Sequence, residues 1–236
     1  MKLLRSLMVF GSALAFSING HAAMLTFDLG NTASGLAPGD TPSILELVGI
    51  QGGQAAPFDA GKGNDLFPGQ IFDETWTHSF GAIADPILAA TITIGLVDHD
   101  SAASGSQLSS FLVDGSDQTS LLNTVMEALP AGDGVYQAFT INLGAGLFAG
   151  LADGDVEVTL ALAGPGLITP LLGGGGAQES AGNGAHLIFS TLTIMTEDTP
   201  PPPPPPPTGV PEPATWLLML LGGLMLVGRK VITTVR

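Results

Sequence analysis

The chain has 236 residues, no cysteine, and 21 acidic against six basic residues, which gives a formal net charge of −15. Without cysteine the fold contains no disulfide bridge, so packing alone must stabilise it. The negative charge repels phosphate backbones and excludes nucleic acid as a partner.

Residues 1–23 have the three parts of a secretory signal peptide. Lys2 and Arg5 form a positive start, and residues 7–18 form an uncharged apolar segment. Small residues follow, so we expect signal peptidase to cleave after Ala22 or one residue later. The alternative is a buried N-terminal helix of the folded domain. The pattern favours export and excludes this segment from the mature fold.

Residues 24–199 form one segment that is long enough for a single hydrophobic core. Apolar and polar residues alternate along much of it, which is typical of antiparallel strands. The longer predicted strands cover 91–97, 139–143, 156–162 and 186–196, and the shorter ones cover 25–29, 44–50, 75–80 and 107–113. The strand 186–196 is apolar on both faces, which predicts a central position in a sheet.

One helix is predicted over residues 120–128, where Leu121, Leu122 and Val125 have helical spacing and Pro130 follows. Glycine-rich loops are predicted at 30–42, 51–70 and 164–185. We therefore expect an all-β fold, an antiparallel, jelly-roll-like β-sandwich of about eight strands with one short helix.

Acidic residues dominate the charge of residues 24–199, where Lys62 is the one basic residue against 20 acidic ones. Asp98 and Asp100 end one predicted strand, and Asp114 and Asp117 end the next. Carboxylates are the ligands that Ca²⁺ prefers, so these four residues predict a calcium site if a hairpin joins the two strand ends. The alternative is that aspartates at strand ends form Asx turns and keep the domain soluble.

Aromatic residues form a second candidate site, for carbohydrate. Trp76, His78 and Phe80 lie on one face of a predicted strand, and we expect Tyr136 to join them. Exposed aromatic rings next to polar residues suit sugar binding. The alternative places Trp76 and Phe80 in the core with His78 at its edge.

Catalytic motifs are missing from the sequence. It has no Gly-x-Ser-x-Gly elbow, no His-Glu-x-x-His helix and no phosphate-binding glycine loop before a helix. We therefore expect a protein that is not an enzyme and requires no cofactor, with Ca²⁺ as the one candidate ion. A pair of carboxylates for glycan hydrolysis needs only a separation in space, so a secreted hydrolase is the alternative.

The last 37 residues begin with eight prolines, Pro200 to Pro207, in a linker that covers 200–209. Polyproline is stiff and extended and suits a spacer. The uncharged apolar segment 214–228 follows, and then Arg229 and Lys230. It is shorter than the roughly 20 residues that span a bilayer, but the two cations can snorkel outward. We predict a transmembrane segment with a cationic stop on the cytoplasmic side.

Pro211, Glu212 and Pro213 stand directly before the apolar segment. Together with that segment and its cationic end, they make residues 210–236 resemble the PEP-CTERM sorting signal of bacteria that have an outer membrane. The resemblance implies that an exosortase recognises the tripeptide and transfers an inner-membrane-anchored precursor to the cell surface or to an exopolysaccharide matrix. The three residues would then be recognised by a processing enzyme and would take no part in catalysis.

The sequence thus predicts an exported, surface- or matrix-anchored structural or adhesive protein of an extracellular polysaccharide layer. The expected partners are signal peptidase, an exosortase, the inner membrane and exopolysaccharide.

Overall fold

The computed structural model describes residues 22–170 and 176–197. Over these residues the fold is mostly antiparallel β-sheet with a few short helices, which confirms the all-β prediction. The ten strands are β1 (Ala22–Gly30), β2 (Asp73–Ser79), β3 (Ile87–Val97), β4 (Leu108–Val113), β5 (Ser116–Asp117), β6 (Tyr136–Leu143), β7 (Asp155–Leu162), β8 (Gly166–Ile168), β9 (Gln178–Ser180) and β10 (His186–Glu197). The helices are α1 (Ile44–Gln51), α2 (Thr119–Ala128), a 3₁₀ turn (Ala145–Leu147) and α3 (Phe148–Leu151).

The strands form two four-stranded sheets and one small hairpin sheet. The first sheet has the order β1-β10-β3-β6, the second has the order β2-β7-β4-β5, and β8 pairs with β9. Every pairing within these sheets is antiparallel. β10 lies between β1 and β3, as its two apolar faces predicted. β1 begins at Ala22, inside the segment that the sequence assigned to the signal peptide.

One hydrophobic core lies between the two four-stranded sheets. Along β7, Val156, Val158 and Leu160 are buried, whereas Glu157 between them is exposed. β10 contributes Leu192 and other buried side chains to the same core. Full burial of each such side chain contributes about 1.5–3 kcal/mol to the stability of the fold. The alternating apolar residues therefore hold the two sheets together.

Helix α1 replaces a predicted strand, because residues 44–50 are helical. Ser43 and Glu46 form a capping box, in which the Ser43 amide donates to Glu46 Oε2 at 2.7 Å and the Glu46 amide donates to Ser43 Oγ at 3.3 Å. Leu47 then packs on Val97 and Tyr136 in a second, smaller hydrophobic cluster. The strand prediction here was wrong. The short apolar run fits the two-residue repeat of a strand and also the repeat of a helix, and the capping box selects the helix.

Helix α2 confirms the predicted helix and begins one residue earlier, at Thr119. Leu122 and Met126 are its buried residues, and the helix contacts β4 of one sheet and β6 of the other. It therefore closes one side of the sandwich. With α1 and α3, the described residues contain three short α-helices where the sequence predicted one.

Leu192→Ala should lower the free energy of unfolding by about 2–5 kcal/mol, because the side chain is fully buried between the sheets. Thr193→Ala is the matched control on the same strand, and its side chain faces away from the core. It should cost less than about 1 kcal/mol. Urea unfolding of the full chain measures both values. Equal costs for the two variants would contradict the assigned faces of β10.

Candidate metal centre

Asp65, Asp98 and Asp100 form a cluster of carboxylates, called here the three-aspartate cluster. One carboxylate oxygen from each residue lies within 4.8 Å of the others, a spacing that could hold a metal ion. Asp98 and Asp100 follow β3, as the sequence predicted, whereas Asp65 comes from the loop between α1 and β2. The cluster therefore joins two segments that are far apart in the sequence.

Backbone amides from three further segments hold these carboxylates in place. The Gly184 amide donates to Asp65 Oδ1 at 2.6 Å, the Gly134 amide donates to Asp98 Oδ1 at 2.6 Å, and the Leu167 amide donates to Asp100 Oδ2 at 2.6 Å. These amides lie before β10, before β6 and on β8. Each carboxylate accepts one backbone amide in this way, and a side-chain hydrogen bond also joins Asp65 to Asp98.

The turn after β3 places Asp98 and Asp100 on the same side of the chain. Both have positive φ, 67° and 54°, a conformation that aspartate tolerates better than most residues. His99 between them is fully buried, and its ring packs edge-on against Phe139 with 4.9 Å between centroids. Because His99 is anchored in the core, the two flanking carboxylates are presented together.

Gly166 allows β8 to approach this cluster. A Cβ at this position would lie 2.5 Å from the Gly182 carbonyl oxygen, 2.9 Å from Asp65 Oδ1 and 3.0 Å from Asp100 Oδ2. A larger residue would therefore push β8 away from the carboxylates. Glycine here is required by close packing.

The electrostatics of the cluster favour an added cation. Burial raises the pKa of Asp98 to about 8, with the neighbouring Asp100 charge as the next cause. Burial likewise raises the pKa of Asp100 to about 7 and raises the pKa of Asp65. Asp133 adds further negative charge nearby. Like charges in a desolvated site oppose ionisation of each other, and a divalent ion would remove that opposition.

No basic side chain in the described residues forms an ion pair with the cluster. Lys62 is the one basic residue of this part of the chain, and its Nζ lies 3.2 Å from Asp59 Oδ1. The carboxylates therefore depend on protons, on water or on a metal ion for neutralisation.

Asp100 adds an independent observation. Its side chain has 0% exposure, and its Oδ1 atom has no hydrogen-bond partner among the described residues. A buried polar atom without a partner is costly, by about 1–3 kcal/mol or more for a charged group. A cation bound to this oxygen would remove that cost.

The chemistry of the cluster suits a hard cation. All its donors are carboxylate oxygens, and Ca²⁺ takes six to eight oxygen ligands in a flexible geometry. Zinc centres use histidine or cysteine ligands, which the cluster lacks. Three aspartates supply only part of the calcium shell, so further oxygens would have to come from water or from a ligand.

A cleft of about 380 Å³ adjoins the cluster. Asp65 and Asp98 lie in its wall, and Lys62, Asn64 and His186 also line it. An ion held by the cluster would therefore lie at the wall of a cavity of small-molecule size.

Asp114 and Asp117 lie outside the three-aspartate cluster. Asp114 occupies the turn between β4 and β5 with φ 50°, and Asp117 Oδ1 accepts from the Thr119 amide at 2.8 Å. The structure thus brings together two of the four predicted ligands and adds Asp65. Asp65 lies in a glycine-rich loop with no periodic pattern, so no local sequence signal marks it as a ligand.

The three aromatic candidates for a carbohydrate platform are all buried. Trp76 is 5% exposed and packs edge-on against Phe58 at 6.0 Å between centroids, as the core alternative proposed. His78 is 1% exposed, and its Nε2 lies 2.9 Å from Ser190 Oγ on the other sheet. Tyr136 is 4% exposed and lies in the smaller hydrophobic cluster. These side chains offer no aromatic face to a ligand in solution.

The predicted sorting residues Pro211, Glu212 and Pro213, the segment 214–228, and Arg229 with Lys230 lie outside the described residues. Residues 1–21 of the predicted signal peptide and the linker 200–209 do so as well. Of the helices that the structure describes, none has the length and hydropathy to span a membrane.

Comparison with known proteins gives little guidance. No protein-family model matches the chain, and no curated protein matches it. Among solved structures, the chain is similar to dimeric latent PorU from Porphyromonas gingivalis, with 9% identity and a TM-score of 0.31. The match covers 79% of this chain and 14% of that one. At this level the similarity carries no argument about fold or function.

Calcium should stabilise the full chain against heat, and Asp98→Asn or Asp100→Asn should abolish the effect. At about 100 times the dissociation constant, binding to the native state alone adds about 2.7 kcal/mol, which corresponds to roughly 5–10 °C in Tm. Asp114→Asn is the matched control, because it also replaces an aspartate at positive φ. It should keep the full calcium response, measured by differential scanning calorimetry. Loss of the response in this control would instead support the four-residue site read from the sequence.

Without a cation, stability should fall as the pH rises from about 7 to about 9. The buried His78 and His99, whose pKa values are lowered from 6.5 to about 4, oppose this trend only at lower pH. Asp98 and Asp100 have pKa values raised from 3.8 to about 8 and about 7 in the folded state, so from about pH 7 to about pH 9 the folded state binds more protons than the unfolded state. Urea midpoints in chelator, at the two ends of this range, measure the effect. Saturating Ca²⁺ should flatten the profile, as should Asp98→Asn combined with Asp100→Asn. A stability that increases with pH in chelator would contradict the raised pKa values.

Proposed function

We propose that the protein is an exported, surface- or matrix-anchored structural or adhesive module of an extracellular polysaccharide layer, and that it binds Ca²⁺ at the three-aspartate cluster. The observation that carries the calcium part is the buried carboxylate cluster with the unpartnered Oδ1 of Asp100. The proposed export and surface location are supported by the signal-peptide pattern of residues 1–23 and by the sorting-signal resemblance of residues 210–236.

We infer further that the sandwich is a jelly roll. Strands β1 to β7 pass alternately between the two large sheets, except at the β4–β5 hairpin, and β10 returns to the first sheet. Eight main strands in two antiparallel sheets are the arrangement of this fold class. Such a scaffold places long loops at the ends of the sandwich, where binding sites commonly occur.

Calcium would act in this fold as a replacement for disulfide bridges. The cluster and its amide donors come from five segments of the chain. These are the loops that hold Asp65, Asp98, Gly134 and Gly184, and strand β8 with Leu167. One ion would therefore hold five segments of a chain that has no cysteine. Extracellular modules commonly bind Ca²⁺ in the range of about 10⁻⁴–10⁻³ M, which suits an exported protein.

A secreted, carboxylate-dependent glycan hydrolase is the second candidate function. The raised pKa values of Asp98 and Asp100 beside a cleft support it, since such groups often mark catalytic acids. Calcium-dependent stabilisation without release of reducing sugar would favour the structural module. Sugar release that is lost in Asp98→Asn would favour the hydrolase.

The mature protein should begin near Ala23 and end near the Pro211–Glu212–Pro213 tripeptide, because both ends are expected to be processed. Mass spectrometry of the chain from surface and matrix fractions of a producing cell measures both termini. Alanine substitution of the tripeptide should leave the protein in the membrane fraction with its tail intact. Glu127→Ala, at an exposed position of α2, is the control and should be sorted normally. An uncut chain in the cytosol would contradict the proposed address.

A further inference from the structure

We propose that the cation at the three-aspartate cluster completes a binding site for an uncharged carbohydrate, two neighbouring hydroxyl groups of which ligate the ion from the adjoining cleft. This inference rests on the proposed calcium site and names the ligand class that the site would take.

The ion would have open coordination positions on the side of the cleft. Asp65, Asp98 and Asp100 can each offer one oxygen to an ion, because one carboxylate oxygen of each lies within 4.8 Å of the others. Three such oxygens are fewer than the six to eight that Ca²⁺ takes. Asp65 and Asp98 line the cleft, so the missing ligands can enter from it.

The unpartnered Oδ1 of Asp100 separates this site from an ordinary acidic surface. The residue is fully buried, and the atom has no hydrogen-bond partner in the part of the chain that the structure describes. Its second oxygen is already bonded to the Leu167 amide. A bound ion is the group that would satisfy the remaining oxygen.

His186 offers a hydrogen-bond acceptor to a sugar hydroxyl in the same cleft. Gln51 Nε2 donates to the Leu187 carbonyl oxygen at 3.4 Å, which directs Gln51 Oε1 toward His186 Nδ1 at 2.7 Å. With the Gln51 amide in this orientation, His186 Nδ1 carries the proton and Nε2 is left as the acceptor. Burial lowers the pKa of His186, which keeps the ring neutral and Nε2 unprotonated.

The other walls of the cleft fit a sugar ring. Asn64 supplies amide groups, whereas Leu66 and Ile168 supply apolar surface for the C–H faces of the ring. A volume of about 380 Å³ lies within the usual range for small-molecule sites. The backbone around the cleft is tightly packed, since a Cβ at Gly61 would lie 2.6 Å from the His186 ring.

Charge decides in favour of an uncharged ligand. Three ionised carboxylates and one divalent ion leave a net negative charge, and Asp133 lies nearby. Among the described residues that line the cleft, Lys62 is the one lysine or arginine, and it is paired with Asp59. Residues 24–199 carry one basic and 20 acidic residues, so an anionic polymer is repelled over the whole domain. Hydroxyl groups add calcium ligands without adding charge.

Retention of the full chain on immobilised neutral polysaccharides tests the proposal. The probes are mannan, galactan and dextran, each offered intact and after periodate cleavage of its vicinal diols, and alginate serves as the anionic probe. We expect retention on at least one intact neutral polymer in Ca²⁺, with at least about a tenfold loss in chelator and on its cleaved form. His186→Ala should weaken binding roughly three- to tenfold, the value of one hydrogen bond, and should keep the calcium-dependent rise in Tm.

Calorimetry on the same samples separates the two hypotheses. A calcium response without retention on any intact neutral polymer, or with equal retention in chelator, overturns the carbohydrate site and leaves the calcium module standing. Retention on alginate alone also overturns it, because the ligand would then be anionic. Absence of any calcium response overturns both hypotheses. Asp114→Asn is the matched control and should bind the polymer as the unaltered chain does.

Discussion

Three carboxylates, those of Asp65, Asp98 and Asp100, are held together at one end of the sandwich, and no basic side chain of the described residues forms an ion pair with them. Amides from three other segments fix their positions, so the loops around β3, β6, β8 and β10 all depend on the state of this cluster. Burial and neighbouring acidic groups raise the pKa values of Asp98 and Asp100 to about 8 and about 7, so without a cation the cluster is neutralised in part by bound protons. Ionisation of all three carboxylates would push these loops apart, whereas a bound cation would stabilise the ionised cluster and hold the loops together.

The sandwich makes such a cluster possible. β3 and β10 are fixed by the core between the sheets, and His99 is anchored against Phe139 directly between two of the carboxylates. The repulsion within the cluster is therefore opposed by hydrophobic burial elsewhere in the fold. This arrangement is typical of binding sites, in which a rigid scaffold holds groups that would separate if they were free.

Periodicity predicted the strands whose alternation is regular, β7 and β10 above all, because burial of one face leaves a direct trace in the order of residues. It failed at Ile44–Gln51, where a short apolar run fits helix and strand alike and the Ser43–Glu46 cap selects the helix. Asp98 and Asp100 were found because they are neighbours in the sequence. Asp65 was not, since only the folded chain brings its loop to β3. Trp76 and Tyr136 show the reverse case, in which aromatic residues that suit a sugar platform serve the core.

A crystal structure of the full chain with a lanthanide in place of calcium, located by its anomalous signal, decides whether the three-aspartate cluster binds a cation. We predict one strong peak in contact with a carboxylate oxygen of each of Asp65, Asp98 and Asp100, at about 2.3–2.6 Å as for Ca²⁺. A peak elsewhere, or none at the cluster with the three carboxylates hydrogen bonded to one another, would contradict it.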